Sequence, residues 1–189
     1  RTDREIFIVR RSGSVWGAPV QVTTNAIEEI EPAFQAGGGE WLAWVERKAD
    51  CDSVRAVLTA DADNAVPETA ATRPSVNELH LLKSDTGMLL TVWQGASAEG
   101  QDLFISARDT ASSRWSGGSQ VTATAIDEWQ ISPALTAEGT LGVVYLSSNE
   151  SSSLDILIRP IRMDCSVDAD EISYADATLS AVVRNVGDL

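Results

Sequence analysis

Short apolar and alternating runs, separated by glycine- and serine-rich segments, dominate the pattern of this chain. The runs are seven or eight residues long and rich in β-branched and aromatic side chains: EWLAWVE, REIFIVRR, GMLLTVW, QDLFISAR, TLGVVYLS and SLDILIR. Such runs are typical of β-strands, and the GGG, SDTG, SGG and SSNESSS segments between them are typical of turns. No window of about a dozen residues keeps the i, i+3, i+4 spacing of an amphipathic helix. The pattern predicts an all-β protein.

The chain repeats one phrase about a hundred residues apart. Residues 16–34 read WGAPVQVTTNAIEEIEPAF, and residues 115–135 read WSGGSQVTATAIDEWQISPAL. The distance between matched residues grows along the chain, and the pairs are Phe7 with Phe104 at 97, Trp16 with Trp115 and Glu29 with Glu128 at 99, and Pro32 with Pro133 at 101. This growth predicts a two-residue insertion near Gln130, of the kind that loops accept.

A middle copy halves the period to about 50 residues, since GMLLTVWQG (87–95) follows GGEWLAWVE (38–46) at that distance. Four short antiparallel strands in each repeat are typical of a β-propeller blade. The predicted strands are 31–36, 40–47, 53–60 and 66–71 in one blade, 78–83, 88–94, 101–108 and 118–122 in the next, 131–137, 140–147 and 154–162 in a third, and 3–11 with 19–23 in a half blade. We therefore predict a partial ring of about three blades in residues 1–162, completed by sequence not given or by another chain, and a short C-terminal β segment.

Aromatic residues recur at fixed places in the repeats. Five of them are predicted to pack between neighbouring sheets: Trp16, Trp44, Trp93, Trp115 and Tyr145. The two remaining tryptophans, Trp41 and Trp129, have no aromatic counterpart in the other copies. We predict that they are exposed, where an aromatic ring can stack on a sugar.

Charge restricts the class of partner. Twenty-eight acidic residues face fourteen basic ones, which gives a net charge of −14. Such a charge repels nucleic-acid phosphates and anionic membranes, and no apolar run has the length of a membrane helix. We therefore expect no nucleic-acid partner and no membrane insertion. The abrupt start and end of the chain indicate a piece of a longer protein.

Acidic pairs recur in the loop between the fourth strand of one blade and the first strand of the next. The pairs are Glu28–Glu29 and Asp127–Glu128. Carboxylates around the mouth of an axial channel could coordinate calcium or bind sugar hydroxyls, and they could equally be solvated loop charges. Asp61 and Asp63 resemble half of a calcium loop, although a hairpin turn fits them as well. Calcium is the one cofactor that these residues suggest.

Cysteine and histidine are too few for a structural zinc site, which needs four ligands. Cys51 and Cys165 could form one disulfide in an exported protein or remain separate buried thiols. His80 lies within the strand-like run NELHLLK, where a core or edge histidine is expected.

The phrases DREIFIVRRSGSVWGAPVQVT and QDLFISARDTASSRWSGGSQVT resemble the repeats of sialidase-like β-propellers, the BNR or Asp-box group. The resemblance covers residues 2–160, although Gly13 alone keeps the S-x-D-x-G-x-T-W pattern before Trp16. It implies an exported protein with this fold. No arginine or tyrosine matches a catalytic motif position of the family, so we assign no catalytic residue.

The C-terminal residues 163–189 form a predicted linker and the start of a second domain. The stretch SVDADEISYADATLSAVVRNVGDL resembles the first strands of an Ig-like, adhesion-related (CARDB-like) module. This resemblance points to secretion or to the cell surface.

Three hypotheses about function follow. The first is an extracellular, non-catalytic propeller that binds glycan or protein partners through its loop face, with Glu28, Glu29, Asp127, Glu128, Trp129 and Trp41 as ligand-binding residues. The second is a fragment of a sialidase-type glycoside hydrolase, and the third is a structural component of a surface layer or larger assembly. We rank them in this order because the residues contain no evident nucleophile, metal cluster or cofactor loop.

Overall fold

The computed structural model describes residues 4–36, 39–61, 66–110, 112–123, 125–136, 140–148, 154–162, 172–175 and 178–181. These residues form β-strands, loops and one 3₁₀ turn (Thr59–Asp61). No helix in this part of the chain is long and apolar enough to cross a bilayer. The predicted all-β class is confirmed.

The strands follow one another through short connections. They are β1 (Phe7–Ile8), β2 (Arg11–Ser12), β3 (Val15–Trp16), β4 (Val20–Gln21), β5 (Glu28–Gln35), β6 (Trp41–Arg47), β7 (Asp52–Leu58), β8 (Glu68–Arg73), β9 (Asn77–Lys83), β10 (Leu89–Ala96), β11 (Gln101–Arg108), β12 (Ser119–Gln120), β13 (Glu128–Leu135), β14 (Thr140–Ser148), β15 (Leu154–Arg162), β16 (Ile172–Ala175) and β17 (Thr178–Ala181).

Antiparallel pairing builds four sheets in chain order, which we number 1 to 4, and a separate two-stranded hairpin, β2–β3. Sheet 1 contains β1 and β4, with the small hairpin β2–β3 between them, sheet 2 contains β5 to β8, and sheet 3 contains β9 to β12. Sheet 4 contains β13, β14 and β15, followed by β17 and β16. The predicted quartets of antiparallel strands are confirmed in sheets 2 and 3, whose ends lie within three residues of the predicted ones.

The C-terminal strands lie on sheet 4. Strand β17 pairs parallel with β15 through Ile161 and Leu179, and β16 pairs antiparallel with β17. The predicted boundary after residue 162 and the Ig-like character of residues 163–189 stay predictions.

The sheets stack face to face. Three apolar clusters show this, since each contains residues of two consecutive sheets. We call the side of a sheet that meets the preceding sheet its front and the opposite side its back. In β6, Leu42 and Trp44 point to the front, and Ala43 and Val45 point to the back. This alternation is the period of two that a strand imposes, and with a sheet on each side all residues from Leu42 to Glu46 are buried.

The three clusters contain equivalent residues of successive sheets. Sheets 1 and 2 share Ile6, Leu42, Trp44 and Val57; sheets 2 and 3 share Val45, Val54, Ala56, Ala70, Leu81, Trp93 and Phe104; sheets 3 and 4 share Leu90, Val92, Leu103, Ile105, Ile131, Val143 and Tyr145. The same packing thus repeats along the chain.

Four of the five recurring aromatic residues pack between sheets as predicted. Trp44, Trp93 and Tyr145 are fully buried on the fronts of sheets 2, 3 and 4, and Trp115 is half-buried against the back of sheet 2. The prediction is wrong for Trp16, which is 64% exposed. Trp16 lies on the front of sheet 1, and no described residue precedes that sheet to cover it.

A β-bulge lies opposite each of the buried aromatic residues of the second strands. Two residues of the first strand face one aromatic residue: Glu31 and Pro32 face Trp44, Glu78 and Leu79 face Trp93, and Gln130 and Ile131 face Tyr145. The first bulge residue has φ of 50°, 47° and 49° in turn. Positive φ costs a non-glycine residue about 1–2 kcal/mol, so its recurrence indicates that the surrounding packing imposes it.

The strand register corrects the predicted position of the two-residue insertion near Gln130. Ala33 pairs with Ala43 and Ser132 pairs with Val144, so Ala33 is equivalent to Ser132, still 99 residues away. The two additional residues therefore lengthen the β13–β14 hairpin by one pair, Leu135 with Leu141, and do not lie near Gln130. The bulge needs a fixed number of residues, whereas the end of a hairpin tolerates an added pair.

Candidate functional site

The second acid of each recurring pair is buried in a network around a threonine. Thr122 Oγ1 accepts the Leu103 N–H at 2.9 Å, and it lies 3.0 Å from Asp102 Oδ1 and 2.6 Å from Glu128 Oε2. The Gln120 side chain donates to the other Asp102 oxygen at 2.8 Å. The network joins the start of β11, the end of β12 and the start of β13, so it fixes sheet 4 to sheet 3.

An equivalent network around a threonine occurs 99 residues earlier. Thr23 Oγ1 accepts the Ile6 N–H at 2.9 Å, and it lies 2.8 Å from Glu5 Oε2 and 3.1 Å from Glu29 Oε2. Glu29 and Glu128 are both buried. Buried carboxylates are stabilised by such hydrogen bonds, which explains the recurrence of these two glutamates without a ligand.

The first acid of each pair is half-exposed and also has a protein partner. Glu28 forms a 3.6 Å ion pair with Arg4, and Asp127 Oδ1 accepts the Gln101 N–H at 2.8 Å. Asp127 therefore holds the turn before β11. A ligand role for Glu28 and Asp127 stays a prediction.

The two unmatched tryptophans differ in exposure. Trp129 is 45% exposed, as predicted, and its indole N–H donates to the Asp127 carbonyl at 2.7 Å. The prediction of an exposed Trp41 is wrong, because Trp41 is half-buried and packs on the core between sheets 2 and 3. The Arg108 guanidinium lies over its ring at 4.8 Å and covers it.

The calcium and disulfide predictions fall mostly on residues outside those described. Asp63 and Cys165 lie outside the described residues, and the side chain of Asp61 is not described either. Cys51 is half-buried and forms no disulfide with a described residue. Among the described residues, no group of three or more His, Cys, Asp or Glu side chains could hold a metal ion.

The first strands of sheets 2, 3 and 4 lie side by side and bring the three bulges together. Strand β5 contacts β9, and β9 contacts β13. The Glu78 carboxylate accepts the Ile131 N–H at 3.2 Å, which links two bulges directly. We call Glu31, Glu78, Gln130 and His80 the first-strand edge.

His80 is half-buried in this edge, next to the bulge carboxylates. Burial lowers the pKa of His80 below its ordinary value of 6.5, and the charges of Glu78 and Glu31 and a hydrogen bond to the Ile131 backbone partly oppose this. The ring is therefore neutral at pH 7, and the edge carries the negative charges of its glutamates.

An open cleft of about 560 Å³ lies at the sheet 1 end of the first-strand edge. Its lining combines apolar surface with two guanidinium and three carboxylate groups, from Arg4, Glu5, Ile6, Glu29, Ile30, Glu31, Pro32 and Arg47. Arg4 is paired with Glu28, and Arg47 lies 3.4 Å from Asp52 and 3.2 Å from the Val76 carbonyl. Glu5 and Glu29 both contact Thr23, so Glu31, which is exposed, is the lining carboxylate with the most access to a ligand.

A separate charged contact joins the edges of sheets 2 and 3. Glu68 of β8 accepts two hydrogen bonds from the Arg108 guanidinium, at 2.6 and 2.8 Å, and one from the Trp115 indole at 2.8 Å. The hydrogen bonds from Arg108 hold the pKa of Glu68 below its ordinary value of 4.5, and burial acts in the opposite direction. We call Arg108 and Trp115 the carboxylate clamp.

The Glu68→Gln variant is expected to lose about 1–2 kcal/mol of unfolding free energy at pH 7, because an amide cannot replace a partly exposed carboxylate in the clamp. The lowered pKa means that the carboxylate stabilises the fold above pH 4.5 and that this contribution is lost as the pH falls further. Urea unfolding at pH 7 and pH 3 should show that the unfolding free energies of variant and wild type differ less at pH 3 than at pH 7. An equal difference at both pH values would contradict the assigned contact.

The comparisons with known proteins found no family model that matches the chain and no match among curated proteins. The site is therefore interpreted from its residues alone. Sequence reasoning missed Glu31, Glu78 and the clamp. The clamp could have been found from the repeat in the sequence, because Arg108 and Trp115 have equivalents in Arg11 and Trp16. A bulge formed by non-glycine residues leaves no comparable signal in the sequence.

Proposed function

We propose that this chain is a non-catalytic binding module of β-propeller architecture, exported from the cell, that binds a glycan at the first-strand edge. The single observation that carries the proposal is the alignment of three equivalent bulges along β5, β9 and β13. In a propeller, successive blades surround a central channel, and the side-by-side placement of β5, β9 and β13 supports that architecture. The face-to-face stacking of sheets 1 to 4 supports the same architecture, as does the resemblance to sialidase-like repeats.

The chemistry of the edge favours a neutral glycan. Carboxylates accept hydrogen bonds from sugar hydroxyls, and the apolar Ile30 and Pro32 offer surface to a sugar ring. The cleft has the size of common small-ligand sites, which are roughly 300–1,000 Å³. The net charge of −14 and the exposed Glu31 disfavour an anionic sugar.

Isothermal titration calorimetry against a panel of neutral and sialylated oligosaccharides tests this function. Neutral oligosaccharides are expected to bind the wild type, and Glu31→Gln and Glu78→Gln are each expected to weaken binding about 10-fold through loss of a charged hydrogen-bond acceptor. Glu99→Gln is the matched control, because Glu99 is exposed in the turn between β10 and β11.

Two outcomes would overturn the proposal. One is the absence of neutral-glycan binding, or binding that both edge variants leave unchanged. The other is hydrolysis of a sialoside by the wild type, which would favour the glycoside hydrolase alternative. In that alternative Tyr145 would not act as the nucleophile, because it is buried between sheets 3 and 4.

A further inference from the structure

His80 is a titratable side chain within the first-strand edge, next to the glutamates proposed to bind the glycan. It lies in β9, and its side chain is half-buried. The chain contains one histidine. Histidine is the side chain that ordinarily changes its charge between about pH 5 and 8. The charge of the edge therefore depends on pH through this one ring.

The equivalent positions of the other sheets hold small, uncharged residues. His80 follows the bulge of β9 and pairs with Val92, the residue before Trp93. The same register places Ala33 after the bulge of β5 and Ser132 after the bulge of β13. All three bulges begin with a residue of nearly the same φ. The bulge therefore forms without an imidazole beside it, and the histidine is specific to sheet 3.

Two carboxylates and one peptide group act on the His80 ring. The charges are those of Glu78, in the same strand, and of Glu31, in β5, and the backbone of Ile131 in β13 hydrogen-bonds to the ring. From β10, the uncharged Val92 pairs with His80. The Glu78 carboxylate also accepts the Ile131 N–H at 3.2 Å. The ring and both glutamates therefore belong to one contact between the first strands of sheets 2, 3 and 4.

Acid adds a positive charge to this contact. The ring is neutral at pH 7.5, because burial keeps the pKa of His80 below its ordinary value of 6.5, and it becomes an imidazolium as the pH falls through that lowered pKa. The imidazolium attracts the carboxylates of Glu31 and Glu78. A carboxylate that is paired with a cation accepts a hydrogen bond from a sugar hydroxyl less strongly, because part of its charge is already neutralised.

We propose that protonation of His80 weakens glycan binding at the first-strand edge, so that the chain binds its ligand near neutral pH and releases it in acid. This inference rests on the proposed function, because it concerns the regulation of the same site. A ligand that needs both carboxylates favours the neutral ring, and by linkage the neutral ring favours the ligand. An anionic ligand would respond in the opposite direction, because the imidazolium would attract it.

Isothermal titration calorimetry at pH 7.5 and pH 5 tests the proposal, with the neutral oligosaccharide that binds the wild type most tightly at pH 7.5. The Kd of the wild type is expected to rise at least about 5-fold at pH 5. His80→Gln and His80→Ser are uncharged at both pH values, and serine is the residue that sheet 4 has at this position. Whatever their affinity at pH 7.5, the Kd of each variant should change less than about 2-fold between the two pH values.

Nuclear magnetic resonance follows the ring directly in the wild type, because a chain with one histidine, prepared without a histidine tag, gives one imidazole signal. The pKa of His80 is expected to be lower with saturating oligosaccharide than without it, since the coupling between proton and ligand is reciprocal. This titration needs no substitution, so it decides the question even if a His80 variant does not fold. Far-UV circular dichroism checks the fold of both variants.

Equal affinity of the wild type at both pH values overturns this inference and leaves the proposed function standing. The same follows if the wild type and both variants depend equally on pH, or if the bound oligosaccharide does not lower the pKa of His80. The absence of neutral-glycan binding at pH 7.5 overturns the proposed function, and the inference falls with it. Tighter binding in acid contradicts the inference, because the imidazolium would then help to hold the ligand.

Discussion

Replacing Trp93 by alanine is expected to lower the free energy of unfolding by about 3–5 kcal/mol, the largest effect of any single substitution considered for this chain. Trp93 is fully buried, stacks on Phe104 with ring centroids 5.9 Å apart, and packs against the back of sheet 2. Alanine removes the indole and leaves a cavity between two sheets that cannot collapse without moving both.

Urea unfolding followed by far-UV circular dichroism measures this effect, with two control variants. Trp93→Phe retains an aromatic ring, and it removes an indole N–H that has no hydrogen-bond partner among the described residues, so it should cost clearly less than alanine. Trp129→Ala, at an exposed position, is expected to change the unfolding free energy by less than about 1 kcal/mol. Similar costs for Trp93→Ala and Trp129→Ala would contradict the packing of Trp93 between sheets.

Replacing Thr122 by valine is expected to lower the unfolding free energy by about 2–4 kcal/mol, because the shape is kept and the hydroxyl is lost. The hydroxyl is a common partner of the Leu103 N–H, Asp102 and Glu128, all of which are buried. A methyl group would then replace the hydroxyl beside the Leu103 N–H and the two buried carboxylates, so the hydrogen bonds that the hydroxyl makes to them would be lost and the link between sheets 3 and 4 would weaken.

Thr23→Val provides the matched variant, since Thr23 has the same role between Glu5 and Glu29 at the junction of sheets 1 and 2. We expect a destabilisation of the same sign, and the double variant should be additive because the two networks are separate. Thermal unfolding of the four proteins checks this. A Thr122→Val variant as stable as the wild type would mean that the two carboxylates are satisfied without the hydroxyl.

The repeat in the sequence was sufficient to predict the strands, because alternation of apolar residues and glycine-rich turns are local signals. It also predicted the burial of Trp44, Trp93 and Tyr145, since a large aromatic residue at one place in every copy indicates a shared packing position. The antiparallel pairing of β5 to β8 and of β9 to β12 followed from the same signals.

Two features that depend on neighbouring sheets were not predicted from the sequence. The burial of Glu29 and Glu128 was not predicted, because it depends on contacts with Thr23 and Thr122, which follow the end of another strand. Trp41 was predicted to be exposed, because the sequence does not reveal that Arg108 of the next sheet covers its ring. Contacts between distant segments have no periodicity that a single sequence reveals.

The repeated identity of Pro32 and Pro133 misled the alignment of the two copies. Equal residues favoured an insertion near Gln130, whereas the register keeps the bulges of β5 and β13 in step and places the two extra residues as one added pair at the end of the β13–β14 hairpin. The geometry of the bulge therefore aligns the two copies more reliably than residue identity does. The positive φ shared by Glu31, Glu78 and Gln130 identifies the equivalent bulge residues.

A crystal structure of the chain tests the central claim most directly, namely that each sheet covers the back of the sheet before it with an aromatic residue of its second strand. The account predicts Trp44, Trp93 and Tyr145 buried between consecutive sheets, with Glu68 bound by Arg108 and Trp115. Sheets 2 and 3 joined edge to edge, or separated by solvent with Trp93 exposed, would contradict it.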